Sequence, residues 1–390
     1  MASRRSNTLA CLQKSGNLAI LFSVVLNTPT KILLAPLDWG LGHTTRCIPI
    51  IRYLIEKGCV VVVAAEGASA VLLKSNFPDL TILSLGGYRI RYSRHAGTFA
   101  FRILAQIPKI LFAVQREKRW LQRAQVLNRF DLVISDNRYG LKIVGLPSVI
   151  MTHQLQIKSG MGAWVDRLLR TIHYNVLEKF DACWVVDHRA DNSIGGALSH
   201  PSRIPSRAVY IGLLSQLRPS YQNATRARVL VLLSGPEPQR SLLEQKILSQ
   251  ITPDTAARYT IIGGGPGGPS PEGLPAGIEY HTHLNASELQ GYMEAAELVV
   301  CRSGYSTLMD LAVMGKKALL IPTPGQSEQE YLAEYLEKRG LFVSTKQSNL
   351  NLDRDTAHAL DFPGFTNPTF SFSDQEMKKA VDNLLASLRP

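Results

Sequence analysis

Short, continuously apolar runs alternate along the chain with longer stretches whose apolar residues recur every third or fourth position. The first unit, KILLAPLDWGLGHTTRCIPIIRYLIEKG, predicts a strand over 31–36, a glycine-containing turn and a helix terminated by Gly58. Further strands are expected over 59–67, 80–87, 130–136, 146–154, 180–188 and 208–217, with a helix near 161–178. Between them runs a basic, partly helical excursion to about Gln125, in which Pro108 ends one helix or opens the next. The stretch RPSYQNATR, Arg218 to Arg226, is polar and turn-rich. Beyond it the alternation restarts, with strands over 228–235, 259–265, 278–284, 297–304 and 317–323 and helices over 241–251, 286–296, 307–315 and 328–340. A last helix, 373–388, opens on a capping box of Ser373 and Glu376. Strands that are apolar on both faces, each followed by a helix, require a parallel sheet covered on both sides. The expected architecture is therefore α/β, two Rossmann-like doubly wound parallel-sheet domains facing a cleft. Its expected divisions are an N-terminal appendage 1–29, a first domain 30–216, a linker 217–226, and a second domain 227–390 that includes the C-terminal helix.

Charge divides these halves. The formal net charge is +12, but residues 1–216 hold 27 Lys/Arg against 12 Asp/Glu and the remainder 16 against 19. Residues 89–123 alone carry nine cations and a single acid, Glu117. Such a segment suits nucleic acid, anionic lipid or a phosphorylated substrate, and a solvated helix face is the plain alternative. Phe99, Phe101, Ile110, Leu111, Phe112 and Trp120 interleave with those cations, which favours an anionic membrane surface over nucleic acid. Packing of that apolar stripe on the first sheet is the competing expectation. No stretch reaches the roughly 18 to 20 apolar residues of a membrane-spanning helix. The best run, LAILFSVVL at 18–26, follows Arg4, Arg5 and Lys14 but leads to no small-x-small cleavage site. Five cysteines, Cys11, Cys47, Cys59, Cys183 and Cys301, show no CxxC spacing and read as reduced thiols. A cytoplasmic location is expected, with peripheral attachment to the inner face of the plasma membrane as its extension.

Open parallel sheets bind ligands beyond the carboxyl ends of their strands, and four loops there carry unusual residues. In LDWGLGHTTR, Gly40 and Gly42 allow a tight turn and His43 sits at a helix start, where the dipole favours the neutral imidazole. A capping or core role for His43 fits as well. In LLSGPEPQR, Ser234 and Gly235 offer backbone amides and Arg240 a cation to a phosphate, unless the loop is an ordinary turn. In CRSGYSTLMD, Ser303, Gly304 and Ser306 stand where strand becomes helix and form an anion site; Asp310 lies on the same helical stripe. A carboxylate there can accept both hydroxyls of a ribose, or it merely complements the helix dipole. In PTPGQSEQEY, Gln326, Glu328, Gln329 and Glu330 put amides and carboxylates at a strand end, suited to sugar hydroxyls or to a polar helix start.

The second half resembles the C-terminal domain of glycosyltransferase family 28, the family of the lipid-linked N-acetylglucosaminyltransferase of peptidoglycan synthesis. The matching residues are Cys301-Arg302-Ser303-Gly304, Thr307, Asp310 at the position of the family's ribose-binding Glu, and Pro322 followed at the family's spacing by Gln329 and Tyr331. The resemblance is thinner in the first half, where Gly40, Gly42 and His43 fall at the family's glycine-loop histidine and Met151-Thr152-His153-Gln154 where a His-Glu-Gln-type stretch lies. It implies a GT-B fold and a nucleotide-diphosphate sugar, a UDP-sugar first among the candidates, as co-substrate with no further cofactor and no metal. The donor-side set it implies is Gly40, Gly42, Ser234, Gly235, Arg240, Leu284, Arg302, Ser303, Gly304, Ser306, Thr307, Asp310, Gln326, Gln329 and Glu330; His153 and Gln154 fall on the acceptor side. Three departures stand out. The first loop is poorer in glycine, the family's Gln pair is Gln329-Glu330, and a Gly-Asn-Pro-Val-Arg stretch is replaced by Gly212-Leu213-Leu214-Ser215.

The expected reaction moves a hexose or N-acetylhexosamine to an acceptor hydroxyl, with inversion. His43 serves as the base, and Asp136 either orients it or caps a turn. The acceptor is unknown; a lipid-linked one fits the resemblance, and nucleic acid is not an expected partner. Rival readings are a nucleotide-sugar 2-epimerase, disfavoured by the few acids near strand ends of the first half, and a non-catalytic donor-binding or membrane-recruiting subunit of a glycosyltransferase pair.

Overall fold

The computed structural model describes residues 29–38, 40–88, 107–189, 192–219, 228–235, 237–264, 270–366 and 373–388. All but the last residue of the expected appendage, most of the expected linker, and Phe99 and Phe101 lie outside these residues.

Seven parallel strands build the first sheet: β1 Lys31–Ala35, β2 Val60–Ala64, β3 Thr81–Leu83, β4 Leu132–Asp136, β5 Ser148–Thr152, β6 Ala182–Val185 and β7 Ala208–Tyr210. Their spatial order is β3-β2-β1-β4-β5-β6-β7. The second sheet comprises β8 Arg228–Leu232, β9 Tyr259–Ile262, β10 Glu279–His281, β11 Ala296–Cys301, β12 Lys317–Leu320 and β13 Val343–Ser344, in the order β10-β9-β8-β11-β12-β13. Each is a doubly wound sheet whose order reverses at its first strand. The switch points, where crevices open for ligands, therefore fall between β1 and β4 and between β8 and β11. The first runs Ile32 beside Leu132 and Ala35 beside Ser135; the second runs Val229 beside Leu298 and Leu232 beside Cys301.

Helices cover both faces: α1 Leu41–Glu56, α2 Gly67–Asn76, α3 Ile107–Asn128 and α4 Ala163–Leu177 in the first domain; α5 Gln239–Leu248, α6 Ala286–Ala295, α7 Tyr305–Val313, α8 Ser327–Lys338, α9 Leu352–Leu360 and α10 Gln375–Ser387 after it. Pro108 opens α3, as its fixed φ and missing donor allow at a first turn. One apolar core is continuous between the domains. It joins Ile48, Ile51 and Leu54 of α1, Met309 and Leu311 of α7, and Met377, Ala380 and Val381 of α10. The C-terminal helix thus returns to the first domain, where Tyr53 donates to Asp382 at 2.9 Å.

The basic helix α3 packs on the first domain by one face only. Ala113, Glu117, Leu121 and Ala124 are buried at helical spacing, so one face does pack on the domain. Ile110 and Trp120 are half-buried, the indole donating to the Ser84 carbonyl at 3.0 Å. Leu111 and Phe112 remain 61% and 68% exposed. Beside them Phe112, Gln115, Arg116, Arg119, Trp120 and Arg123 line a groove of about 350 Å³. Glu117, the segment's one acid, accepts from Arg138, Tyr88 and the Gly140 amide, each at 3.0 Å. Arg138 in turn donates to the Pro36 carbonyl at 2.7 Å, fixing the chain as it leaves β1. Among the described residues no helix is long and apolar enough to cross a membrane.

Candidate functional site

The two switch points face each other. Gly40, with φ of 91°, makes the turn from β1 into α1, a conformation that disfavours any side chain bearing a Cβ. Two residues on, Gly42 lies so close to the second domain that an added Cβ would stand 2.5 Å from the Ser306 hydroxyl. The loop that presents His43 and the helix start that presents Ser306 are therefore in direct apposition.

On the first-domain side β4 ends in Asp136, and Asn137, with φ of 53°, turns the chain sharply after it. Because β1 and β4 are neighbours, the carboxylate reaches across: its Oδ2 lies 2.9 Å from His43 Nδ1. Arg46, one turn beyond His43 and only 1% exposed, donates through Nε to the same oxygen at 2.9 Å and through an Nη to Oδ1. The same guanidinium approaches His43 Nδ1 at 2.9 Å and His153 Nδ1 at 3.0 Å. Burial opposes the charge on Asp136, but Arg46 and His43 hold its carboxyl well below the usual carboxylate range. Burial, then the Arg46 charge, lowers the pKa of His43 against the pull of Asp136, so the imidazole is neutral at physiological pH. The helix-start argument from sequence pointed the same way, but burial and Arg46 are the causes.

His153, at the end of β5, carries this network across the cleft. Its Nε2 lies 2.9 Å from Glu328 Oε1 in the first turn of α8, and the Gln154 amide donates to the other Glu328 oxygen at 3.4 Å. Arginine only donates, so His153 Nδ1 accepts and Nε2–H is the donor to Glu328. The ring also stacks on Tyr305, the first residue of α7, with centroids 4.1 Å apart.

On the second-domain side the expected donor residues divide. Asp310 is half-buried and accepts from the Ser215 hydroxyl at 2.5 Å. Burial pushes its pKa up to about 7, with the Ser215 bond pulling the other way. Thr307 and Ser306 are partly exposed on the first turn of the same helix. Ser303 is buried and donates to the Gln329 carbonyl at 2.8 Å; the Gln329 side chain accepts from the Thr323 amide at 2.8 Å. Gly304 lies beside the Gln329 amide nitrogen. Gly235 makes a turn with φ of 101° and neighbours Thr323, whose buried hydroxyl has no partner. Ser234, Leu284 and Gln326 are partly exposed, Leu284 packing against the core.

Three expected ligand groups are otherwise engaged. Arg302 is wholly buried; its two Nη nitrogens donate to the carbonyls of Gln239, Ile321 and Pro322 and to Gln347 Oε1, bracing loops, while its Nε has no partner. Arg240 donates to the Gly263 carbonyl and pairs with Glu237 and Glu244, which neutralises the cation expected to meet a phosphate. Glu330 is exposed and accepts from the Gly325 amide, closing its own loop. Arg46, Tyr305 and Ser215 were absent from the expected site; Glu328, expected to face sugar hydroxyls or to open a polar helix, lies against His153.

Comparison with known proteins places this geometry. Residues 272–381 match the model of the glycosyltransferase family 28 C-terminal domain. An uncharacterized glycosyltransferase of Methanosarcina acetivorans is 24% identical over 334 residues, covering 80% of this chain and 84% of that protein. The UDP-N-acetylglucosamine--N-acetylmuramyl-(pentapeptide) pyrophosphoryl-undecaprenol N-acetylglucosamine transferase of Pasteurella multocida is 23% identical over 327 residues, covering 80% and 83%. Among solved structures, the glycotransferase of kitacinnamycin superposes with a TM-score of 0.66 at 16% identity, over 93% of this chain and 100% of that one.

Proposed function

We propose that this chain, whose residues 272–381 match the glycosyltransferase family 28 C-terminal domain and whose two parallel-sheet domains have the GT-B fold, transfers a hexose or N-acetylhexosamine from a UDP-sugar to an acceptor hydroxyl, with inversion and without a metal ion. The observation that carries this reading is the apposition of Gly42 and Ser306, which brings His43 of one domain beside the α7 helix start of the other. The diphosphate lies against the amides at Ser303 to Ser306, where fixed dipoles meet the charge that develops on the leaving group. The partnerless Thr323 hydroxyl beside Gly235 faces the same region and supplies a further donor. Asp310 accepts from the ribose. The base is His43: Asp136 Oδ2 and the Arg46 guanidinium both lie 2.9 Å from its Nδ1, and in the tautomer that gives Nδ1–H to Asp136 the Nε2 lone pair takes the acceptor proton as the hydroxyl attacks the anomeric carbon. The UDP-sugar choice is supported by the name of the Pasteurella relative.

A thermal-shift screen over UDP, GDP, dTDP and their sugars tests the donor. UDP-sugars are expected to raise the melting temperature, since a ligand at 100 times its Kd stabilises by about 2.7 kcal/mol. Transfer of labelled sugar from the selected donor then tests the reaction. A shift by GDP- or dTDP-sugars alone would overturn the base assignment.

The acceptor in this reading is lipid-linked, reached from the inner face of the plasma membrane. Exposed Leu111 and Phe112 beside Arg116, Arg119 and Arg123 form the docking face, each cation near anionic lipid contributing on the order of 1 kcal/mol. Co-sedimentation with phosphatidylglycerol vesicles is expected at low salt and is lost at high salt. Absence of binding at low salt would exclude the membrane and point to a soluble acceptor.

A further inference from the structure

We propose that Arg46 is the positioning residue of this site, one buried guanidinium that holds Asp136 for His43 and turns His153 onto Glu328. The acceptor-side base and the first turn of the donor-domain helix α8 are thereby set by a single group. The inference rests on His43 as base and adds a residue that neither the sequence reading nor the comparisons assign.

Geometry carries it. Arg46 reaches Asp136 through two nitrogens, His43 through one and His153 through another, and its side chain is sealed from solvent. A buried guanidinium with such partners is a rigid fork, a role lysine cannot fill because its ammonium is a single point. By occupying Asp136 in a fixed orientation, Arg46 directs Oδ2 at His43 Nδ1. By donating to His153 Nδ1, it fixes Nε2–H as the donor toward Glu328, 2.9 Å away on the other domain. Glu328, half-buried, keeps its charge because His153 lies against it.

The groups bearing on His43 come from every neighbouring element. Arg46 and Cys47 share its helix, and the Cys47 thiol points to Asp136 at 3.8 Å. Asp136 comes from β4, His153 from the end of β5, Tyr305 from α7 and Glu328 from α8. Of these, Arg46 is the fixed cation that makes protonation of His43 unfavourable, and Asp136 is the fixed anion that opposes it. Removing the cation alone leaves burial opposed by the anion, so the His43 pKa rises.

The test is a histidine-ring NMR titration of the full chain labelled with 15N-histidine, with His43 assigned by loss of its signal in His43→Ala. Arg46→Gln is expected to raise the His43 titration midpoint by at least one pH unit and to mix the His153 tautomers. Arg46→Lys is expected to leave His43 nearer its native midpoint while still releasing His153. Because Arg46→Gln strands a buried carboxylate and can unfold the chain, Arg46→Gln/Asp136→Asn is measured beside it. There burial alone still holds the His43 midpoint below that of an ordinary histidine, and the His153 tautomers should mix as in the single variant. In donor hydrolysis with UDP-N-acetylglucosamine as the probe, Arg46→Lys should lower kcat at least tenfold with KM little changed. An unmoved His43 midpoint in Arg46→Gln, or an unchanged His153 tautomer in Arg46→Lys and the double variant, would overturn the proposal. The base reading fails separately, if His43→Ala keeps its turnover while the Arg46 variants still shift the ring signals.

Discussion

His43→Ala is expected to lose turnover by about 100- to 10,000-fold, the range typical of a general base, while keeping its affinity for the donor nucleotide. The asymmetry follows from where the side chain stands. His43 leaves the start of α1 on the first domain, whereas the groups assigned to the nucleotide sit on β8, β11, α7 and the loop before α8. An interaction made with the acceptor proton is gained in the transition state, so its loss falls on kcat. Turnover should also decline as the medium is acidified through the depressed pKa of His43, because the protonated ring has no lone pair to give. Single-turnover transfer alongside calorimetric nucleotide titration checks both halves. Near-normal turnover in the variant would return His43 to a structural role.

Asp310→Ala should weaken nucleotide binding by roughly 10- to 150-fold, the equivalent of one charged hydrogen bond of about 1.5 to 3 kcal/mol. Its pH behaviour distinguishes a ligand group from a dipole partner. Burial raises the Asp310 pKa to about 7, so the carboxylate that receives the ribose hydroxyls is depleted as pH falls below 7 and donor affinity falls with it. Stability moves in the other sense. A folded-state pKa above the ordinary 3.8 means that the fold favours the protonated group, a contribution fully present below 3.8 and lost as pH rises through about 7. Asp310→Asn keeps an uncharged acceptor for the Ser215 hydroxyl, so above pH 7 it should melt higher than the parent while binding nucleotide more weakly. Melting curves and nucleotide titrations at pH 5.5 and 8 read both effects. Unchanged nucleotide affinity in Asp310→Ala would remove the ribose from its account.

The architecture could be read from the sequence because both sheets are built of buried parallel strands. Such strands are apolar on both faces, and runs like those at 31–36 and 59–67 have no other soluble use. Val343–Ser344 escaped because two residues make no pattern. The helix Leu352–Leu360 escaped because its buried side chains include Asp355 and Thr356. In the site, His43 and Asp136 could be named because each ends a strand or begins a helix at a sheet edge. That they touch depends on β1 and β4 being neighbours, which strand order decides and local pattern does not. Arg46 looked like an ordinary charge on a helix surface because its partners Asp136 and His153 come from other strands, and Glu328 meets His153 only across the two domains. Arg302 misled for the converse reason. A cation beside a glycine at a strand end looks the same in sequence whether its guanidinium faces a ligand or, as here, backbone carbonyls.

The return of α10 to the first domain has a consequence for how the molecule is made. Met377, Ala380 and Val381 complete a core whose other contributors include Ile48, Ile51 and Leu54 of α1. On the ribosome those α1 residues emerge more than three hundred positions ahead of their cover. At about 5 to 20 residues per second, the uncovered face waits for on the order of 15 to 60 seconds before its last partner exists. The first domain is therefore finished last. A chain released short of α10 should carry its defect on α1, at the opposite end of the sequence from the missing residues.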